Sequence, residues 1–117
     1  MPTLGALHAD AIEILESGKQ RIAAEVAWGA TKRATDALIL ARTGREPTGT
    51  GQTSGWMRGF ARTGSSYALL RVRFQRRVGT LHANCFYFNN CPLPDLLELL
   101  IRETNAYIRQ AEILAEA

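Results

Sequence analysis

The chain has too few cysteines and histidines for several classes of protein. Cys85 and Cys91 are its only cysteines, and His8 and His82 are its only histidines. Disulfide-stapled scaffolds need more thiols, and zinc modules need thiols and imidazoles at ligand spacing, so both classes are excluded. We therefore expect two reduced cysteines that pack in the interior. We predict neither a metal nor a cofactor, and His8 is predicted to be a surface residue.

Long uncharged apolar runs are also absent. No stretch approaches the length that a membrane-crossing helix needs. Asp10, Glu13 and Glu16 interrupt the first apolar pattern, which argues against a signal peptide. The sequence predicts a cytoplasmic protein that does not enter a membrane.

What is present is the composition of one globular domain. The chain has 117 residues, of which 46% are hydrophobic and 21% are charged. These values predict a single domain over residues 1–117. The net charge of +3 is compatible with an anionic partner, but it is weaker than that of a dedicated nucleic-acid binder.

Apolar residues recur at helical spacing through most of the chain. The pattern predicts helices over about 4–17, 19–43, 56–62, 65–81 and 93–115. Alternation of Leu70, Val72 and Phe74 also fits a strand, but no partner strand with a hairpin turn lies nearby, so we favour helix. Alanines along the second helix let neighbours approach closely and predict that it is central. The predicted fold class is all-α, an antiparallel up-and-down bundle of four to five helices.

One segment has the composition of a loop. Residues 44–55 contain four glycines and one proline. We predict a flexible loop here and favour a simple connection over a mobile lid.

The stretch 76–87 concentrates side chains that could carry chemistry. Arg76 and Arg77 precede His82, and Asn84 and Tyr87 follow it. Histidine titrates near neutrality and can remove a proton from an RNA 2′-hydroxyl. Arginine stays charged and offers a fork of donors that matches phosphate oxygens. This combination is typical of metal-independent phosphodiester cleavage.

These residues also resemble a known family. The segment from Arg77 to His82 fits the arginine–histidine motif of HEPN domains, and residues 25–34 look like the alanine-rich second helix of that superfamily. Residues 81–87 are similar to the leucine-histidine-any-asparagine-phenylalanine-tyrosine signature of a mostly archaeal branch, with Cys85 inserted.

The resemblance implies a helical bundle that usually dimerises. Many members are metal-independent endoribonucleases of toxin–antitoxin or defence systems, and others are inactive binding partners, including companions of nucleotidyltransferases. By this likeness Arg77 would stabilise charge on the attacked phosphate and His82 would be the base. Arg76 could replace Arg77. A homodimer is expected, with RNA, a nucleotide or a cognate antitoxin or nucleotidyltransferase as partner.

Helix geometry complicates that assignment. Five residues on an ideal α-helix place Arg77 and His82 roughly 140° apart. They can converge only if the helix ends or bends, for which Gly79 is suitable, or if two subunits supply them. Alternatively, His82 is a hydrogen-bonded residue between helices.

Four further residues are candidates for RNA contacts: Arg73, Arg76, Asn84 and Tyr87. The arginines could attract phosphates, or they could form an ordinary solvated face. A helix cap is the favoured interpretation of Asn84, and packing that of Tyr87.

Three functions remain in competition. We favour a HEPN-like module that binds a nucleic acid, nucleotide or protein. The alternative is a metal-independent endoribonuclease that uses Arg77 and His82. The third is a purely structural helical oligomer.

Overall fold

A computed structural model describes residues 3–117 of the chain. These residues form six α-helices and one π-helical segment: α1 (Leu4–Glu16), α2 (Gln20–Thr43), α3 (Thr50–Ala61), α4 (Ser65–Arg77), the π segment (Val78–Tyr87), α5 (Pro94–Arg102) and α6 (Thr104–Glu116). No β-strand occurs within that range, so the all-α prediction is confirmed. None of these helices has the length and apolar character required to cross a bilayer.

Helix α2 is the centre of the molecule, as its alanines predicted. It contacts every other helical element. The buried side chains of α2 are Ala23, Ala24, Ala27, Trp28, Ala30, Thr31, Ala34, Thr35, Leu38 and Ile39. Because half of these are alanine, neighbouring backbones can approach α2 from several sides.

The ends of the first two helices follow their sequence signals. Thr3 caps α1, since its hydroxyl oxygen accepts a hydrogen bond from the Ala6 N–H at 3.0 Å. Gly18 after α1 and Gly44 after α2 have positive φ angles of 88° and 75°. Glycine adopts this left-handed conformation without strain, so both helices end where it occurs.

The predicted loop over residues 44–55 is half as long as expected. Helix α3 begins at Thr50, so only residues 44–49 connect it to α2. The Thr53 hydroxyl donates a hydrogen bond of 2.7 Å to the Asp36 carboxylate on α2, and Met57 is fully buried. These tertiary contacts stabilise a helix that contains three glycines, which propensity alone disfavours.

The third long segment is helical, and the strand interpretation is wrong. Leu70 and Phe74 are fully buried while Val72 is 65% exposed, which is the period of a helix rather than a strand. The helical path does not end at Gly79, which lies inside the π segment. It continues past Arg77 as the π segment, in which backbone hydrogen bonds join residues five apart.

The predicted final helix over 93–115 is divided at Glu103 into α5 and α6. Pro94 and Asp95 occupy the first turn of α5, where proline fits the backbone and a carboxylate favours the helix dipole. At the division, the Leu100 carbonyl and the Thr104 hydroxyl both accept hydrogen bonds from Arg77. The division between α5 and α6 therefore lies where the buried guanidinium of Arg77 finds its hydrogen-bond acceptors. The spacing of apolar residues gives no indication of this contact.

The expectation of reduced cysteines is also wrong, because a disulfide joins Cys85 to Cys91. The chain reverses after the π segment at Asn89, which has a φ of 53°, and the Asn90 N–H donates to the Asn84 carbonyl at 2.8 Å. This turn returns Cys91 to Cys85. A spacing of six residues in sequence gives no indication of such a reversal.

Candidate ligand-binding face around His82

His82 lies on the π segment against helix α2. Its Nδ1 is 2.8 Å from Glu25 Oε1 and 3.1 Å from Oε2. Its ring stacks on Trp28, with centroids 5.3 Å apart and an interplanar angle of 29°. Tyr87 meets the same ring edge-on at 5.1 Å. Three neighbours therefore fix both the position and the orientation of the imidazole.

The carboxylate also fixes the proton on the imidazole. A carboxylate accepts hydrogen bonds, so Nδ1 of His82 carries the N–H and Nε2 of the neutral ring has a free lone pair. No hydrogen bond to Nε2 occurs within residues 3–117. The side chains of His82 and Glu25 are 27% and 25% exposed, so the pair lies at the surface. This imidazole can accept a proton or a hydrogen bond from a ligand.

The π geometry explains the contact between His82 and Tyr87. The two residues are five apart, a spacing that places side chains roughly 140° apart on an α-helix. In a π-helix the i to i+5 hydrogen bonds bring such residues one above the other. The edge-on contact of the two rings therefore depends on the widened helix.

The aromatic residues beside His82 are exposed. Tyr87 is 66% exposed and Phe88 is 74% exposed. The sequence predicts a packing role for Tyr87, but this residue does not pack in the core. Phe86 is half-buried, and its ring lies 5.2 Å below the Arg21 guanidinium. Arg21 Nε also donates to the Phe86 carbonyl at 2.5 Å. We call Arg21, His82, Phe86, Tyr87 and Phe88 the aromatic face.

An open cavity of about 460 Å³ adjoins this face. It lies between the start of α2 and the connection that follows the π segment. Lys19, Arg21, Asn89 and Cys91 are among its lining residues. The cations belong to one wall, and the disulfide-linked turn forms the other.

Arg77 is located in the interior. It is 3% exposed and donates from Nε to Thr31 Oγ1 at 2.8 Å and from Nη1 to the Leu100 carbonyl at 3.0 Å. Nη2 donates to Thr104 Oγ1, and the guanidinium lies 5.7 Å from the Tyr107 ring centroid. Burial lowers the pKa of Arg77 to about 10. The group remains charged at neutral pH and is held by neutral acceptors.

Arg77 and His82 therefore contact different parts of the protein. Both pack against α2, Arg77 at Thr31 and His82 at Glu25 and Trp28. They share no hydrogen-bond partner in the described part of the chain. Within one subunit, the structure does not bring the two motif residues to a common solvent-exposed site.

The other candidate residues are dispersed. Arg73 donates to Gln110, and Arg76 is exposed; together with Arg77 they line a second cavity of about 180 Å³. Asn84 is exposed, and its carbonyl accepts from Asn90. Only Tyr87 among these candidates contacts His82.

Three residues of α2 that contact the aromatic face are not among the sequence-predicted candidates. Arg21, Glu25 and Trp28 follow one another at spacings of four and three and so share a helix face. That spacing is a detectable signal. What sequence could not reveal is that the π segment packs on this face.

His8, which the sequence predicts at the surface, is partly buried. Its Nδ1 is buried and has no hydrogen-bond partner among residues 3–117. Burial, followed by the positive charges of Arg77 and Arg102, lowers the pKa of His8.

Within the described residues, no three histidine, cysteine, aspartate or glutamate side chains converge as metal ligands. Comparisons with protein-family models, curated proteins and solved structures found no match to this chain.

Proposed function

We propose that this chain is a HEPN-like helical domain that binds single-stranded RNA on the aromatic face. The observation that carries the proposal is the display of Tyr87 and Phe88 beside Arg21 and the free Nε2 of His82. Unpaired bases stack on exposed aromatic rings, while nearby cations attract the phosphates. His82 Nε2 supplies an acceptor for a base edge or a 2′-hydroxyl.

The resemblance to HEPN domains also supports a proposal about the oligomeric state and the partners of the chain. It implies a homodimer in a toxin–antitoxin or defence system, with an antitoxin or a nucleotidyltransferase as a further partner. A dimer would have a mass of about 25.8 kDa, twice the 12.9 kDa of the chain, which light scattering measures directly. A monomer at all concentrations would remove this part of the proposal.

RNA binding is tested with a fluorescent single-stranded oligonucleotide and anisotropy. Replacing Tyr87 by alanine should weaken binding about 5- to 150-fold, because one base–aromatic stack contributes about 1–3 kcal/mol. Leu69→Ala is the matched control, since Leu69 is also an exposed apolar side chain, at 56%, but lies on α4. Equal affinity of wild type and Tyr87→Ala would refute the aromatic face as the binding site.

A second candidate, metal-independent endoribonuclease activity, is favoured by the Glu25–His82 pair. In this mechanism Nε2 of His82 removes the 2′-hydroxyl proton, and the Glu25 carboxylate stabilises the imidazolium that forms. Arg77 is committed to the core, so Arg21 is the cation on this face. The 2′-oxygen then attacks phosphorus, and the bond to the 5′-oxygen breaks. The products are a cyclic phosphate and a 5′-hydroxyl, whose oxygen takes up a proton from water.

Cleavage is tested with RNA in the presence of a chelator. Wild type should generate cyclic phosphate ends, His82→Ala should abolish them, and Glu25→Gln should reduce the rate and displace the pH profile. Identical background cleavage by wild type and His82→Ala would leave only the binding function.

A further inference from the structure

The Cys85–Cys91 disulfide lies at the aromatic face rather than in a remote part of the fold. The residues that it encloses include Phe86, Tyr87 and Phe88. Cys91 also lines the adjoining cavity, opposite Lys19 and Arg21. The only two cysteines of the chain therefore border the surface on which we propose that RNA binds.

The two sulfur atoms differ in access. Cys85 is fully buried in the core, whereas Cys91 is half-buried at the cavity wall. A small thiolate can approach the Cys91 sulfur from the cavity side, with Cys85 as the leaving group. Thiol–disulfide exchange proceeds by such an attack on one sulfur, so the accessible atom determines where exchange begins.

Besides the disulfide, ring contacts hold Phe86 and Tyr87, and hydrogen bonds hold the turn that follows them. The Phe88 N–H donates to the Ala83 carbonyl at 3.0 Å, and the Asn90 N–H donates to Asn84 at 2.8 Å. Arg21 binds the Phe86 carbonyl from α2. Asn89 has a positive φ, a conformation that asparagine tolerates but does not strongly prefer. Without the disulfide, this turn depends on these hydrogen bonds and on the contacts of Phe86 with Arg21 and of Tyr87 with His82.

We propose that Cys85 and Cys91 form a reversible thiol–disulfide switch whose oxidised state displays Tyr87 and Phe88 for RNA and whose reduced state releases them. This inference rests on the proposed RNA-binding function. The reductant is a low-molecular-weight dithiol or monothiol. In cells that keep thiols reduced, disulfides of this kind are usually transient and regulatory.

The exchange balances with two thiols. A thiolate attacks Cys91 Sγ, forms a mixed disulfide and expels Cys85 as a thiolate, which takes up a proton. A second thiol attacks the external sulfur of the mixed disulfide and releases Cys91 as a thiol. The protein disulfide is reduced by two electrons, and the two external thiols are oxidised to one disulfide. Glutathione disulfide reverses the sequence.

The switch is tested on the full chain by comparing RNA affinity after treatment with glutathione disulfide and with dithiothreitol. Thiol alkylation followed by intact mass should count no free thiols in the first sample and two in the second. The reduced protein should bind RNA at least about tenfold more weakly, because ordering even one released residue of backbone costs about that factor. Cys91→Ser should bind as the reduced protein does and should not respond to dithiothreitol.

Each other outcome has a definite meaning. Failure to form the disulfide, or equal affinity of the two states, overturns the switch. A lower melting temperature on reduction with unchanged affinity assigns the disulfide a structural role only, which also overturns it. If neither the oxidised nor the reduced protein binds RNA, the proposed function itself fails. If both bind RNA with equal affinity and Tyr87→Ala does not bind it, only the switch fails.

Discussion

Arg77 illustrates how a single residue type can serve a different purpose from the one that its sequence motif indicates. The motif predicts a phosphate contact, whereas the side chain binds Thr31, Thr104 and the Leu100 carbonyl in the interior. It connects α4 to α2 and to the division between α5 and α6. A planar guanidinium with several donors suits this role, because three neutral acceptors on two sides can be satisfied at once.

Replacing Arg77 by methionine should therefore destabilise the fold. The change leaves buried acceptors without donors, each of which costs about 1–3 kcal/mol, so we expect a total loss of about 3 kcal/mol or more. Arg77→Lys should recover only part of it, since one ammonium cannot reach all three acceptors. Urea unfolding measures both variants, with the exposed Arg76→Met as control. An unchanged unfolding midpoint for Arg77→Met would contradict the structural role.

His8 should make stability dependent on pH. Its pKa in the folded state lies below the ordinary value of 6.5, so the unfolded chain binds the proton more tightly. Stability contributed by neutral His8 is therefore present above pH 6.5 and decreases as the pH falls through that value towards the folded pKa. His8→Gln removes this titration. Unfolding midpoints at pH 5 and 7.5 should differ less in the variant than in wild type; an equal difference would exclude His8 as the source.

At the scale of the helices, sequence predicted most elements but not their interruptions. Apolar spacing located α1, α2 and α4, because one face of each is buried against neighbours. It missed the start of α3 at Thr50, where a hydrogen bond from Thr53 to Asp36 outweighs the glycines. It also missed the division between α5 and α6 at Glu103. There the Leu100 carbonyl and the Thr104 hydroxyl accept hydrogen bonds from Arg77. In both cases a contact distant in sequence determined the local structure.

The glycines of α3 provide a test of its start. Gly55 lies inside the helix, and a methyl group there would meet no atom within 4 Å. Gly55→Ala should raise the free energy of unfolding by about 0.5–1 kcal/mol, because alanine loses less backbone entropy in a helix. Gly44→Ala is the opposite control, since its φ of 75° strains alanine and should lower stability by about 1 kcal/mol. No gain at Gly55 would favour a loop over residues 50–55.

At the scale of the whole molecule, α2 connects the interior to the aromatic face. Thr31 binds the buried Arg77, while Trp28 and Glu25, about one and two turns earlier, hold His82 at the surface. The sequence identified α2 as central and His82 as the residue of interest. The pairing of His82 with Glu25 could not be predicted, because the two residues are 57 positions apart.

The net charge of the molecule limits how RNA can bind. With +3 overall, we expect local contacts by Lys19 and Arg21 rather than a broad electrostatic surface. Two phosphates neutralised on a single strand give a slope of log affinity against log salt of about −1.4. Anisotropy titrations at several salt concentrations measure it. Arg21→Ala should make the slope less steep by about 0.7, whereas replacing the exposed Arg58 by alanine should leave it unchanged. A much steeper slope for the wild type would indicate a larger basic surface and contradict the local contact.

The π segment makes the aromatic face sensitive to chain length. His82 and Tyr87 are five residues apart, and this spacing brings their rings together only while the widened helix is maintained. Loss of one residue between Val78 and His82 would turn all later residues of the segment about the helix axis and move His82 and Tyr87 away from Glu25 and Trp28 on α2. Related chains that share the binding face should therefore keep the number of residues in this segment constant, while accepting insertions freely in the 44–49 connection.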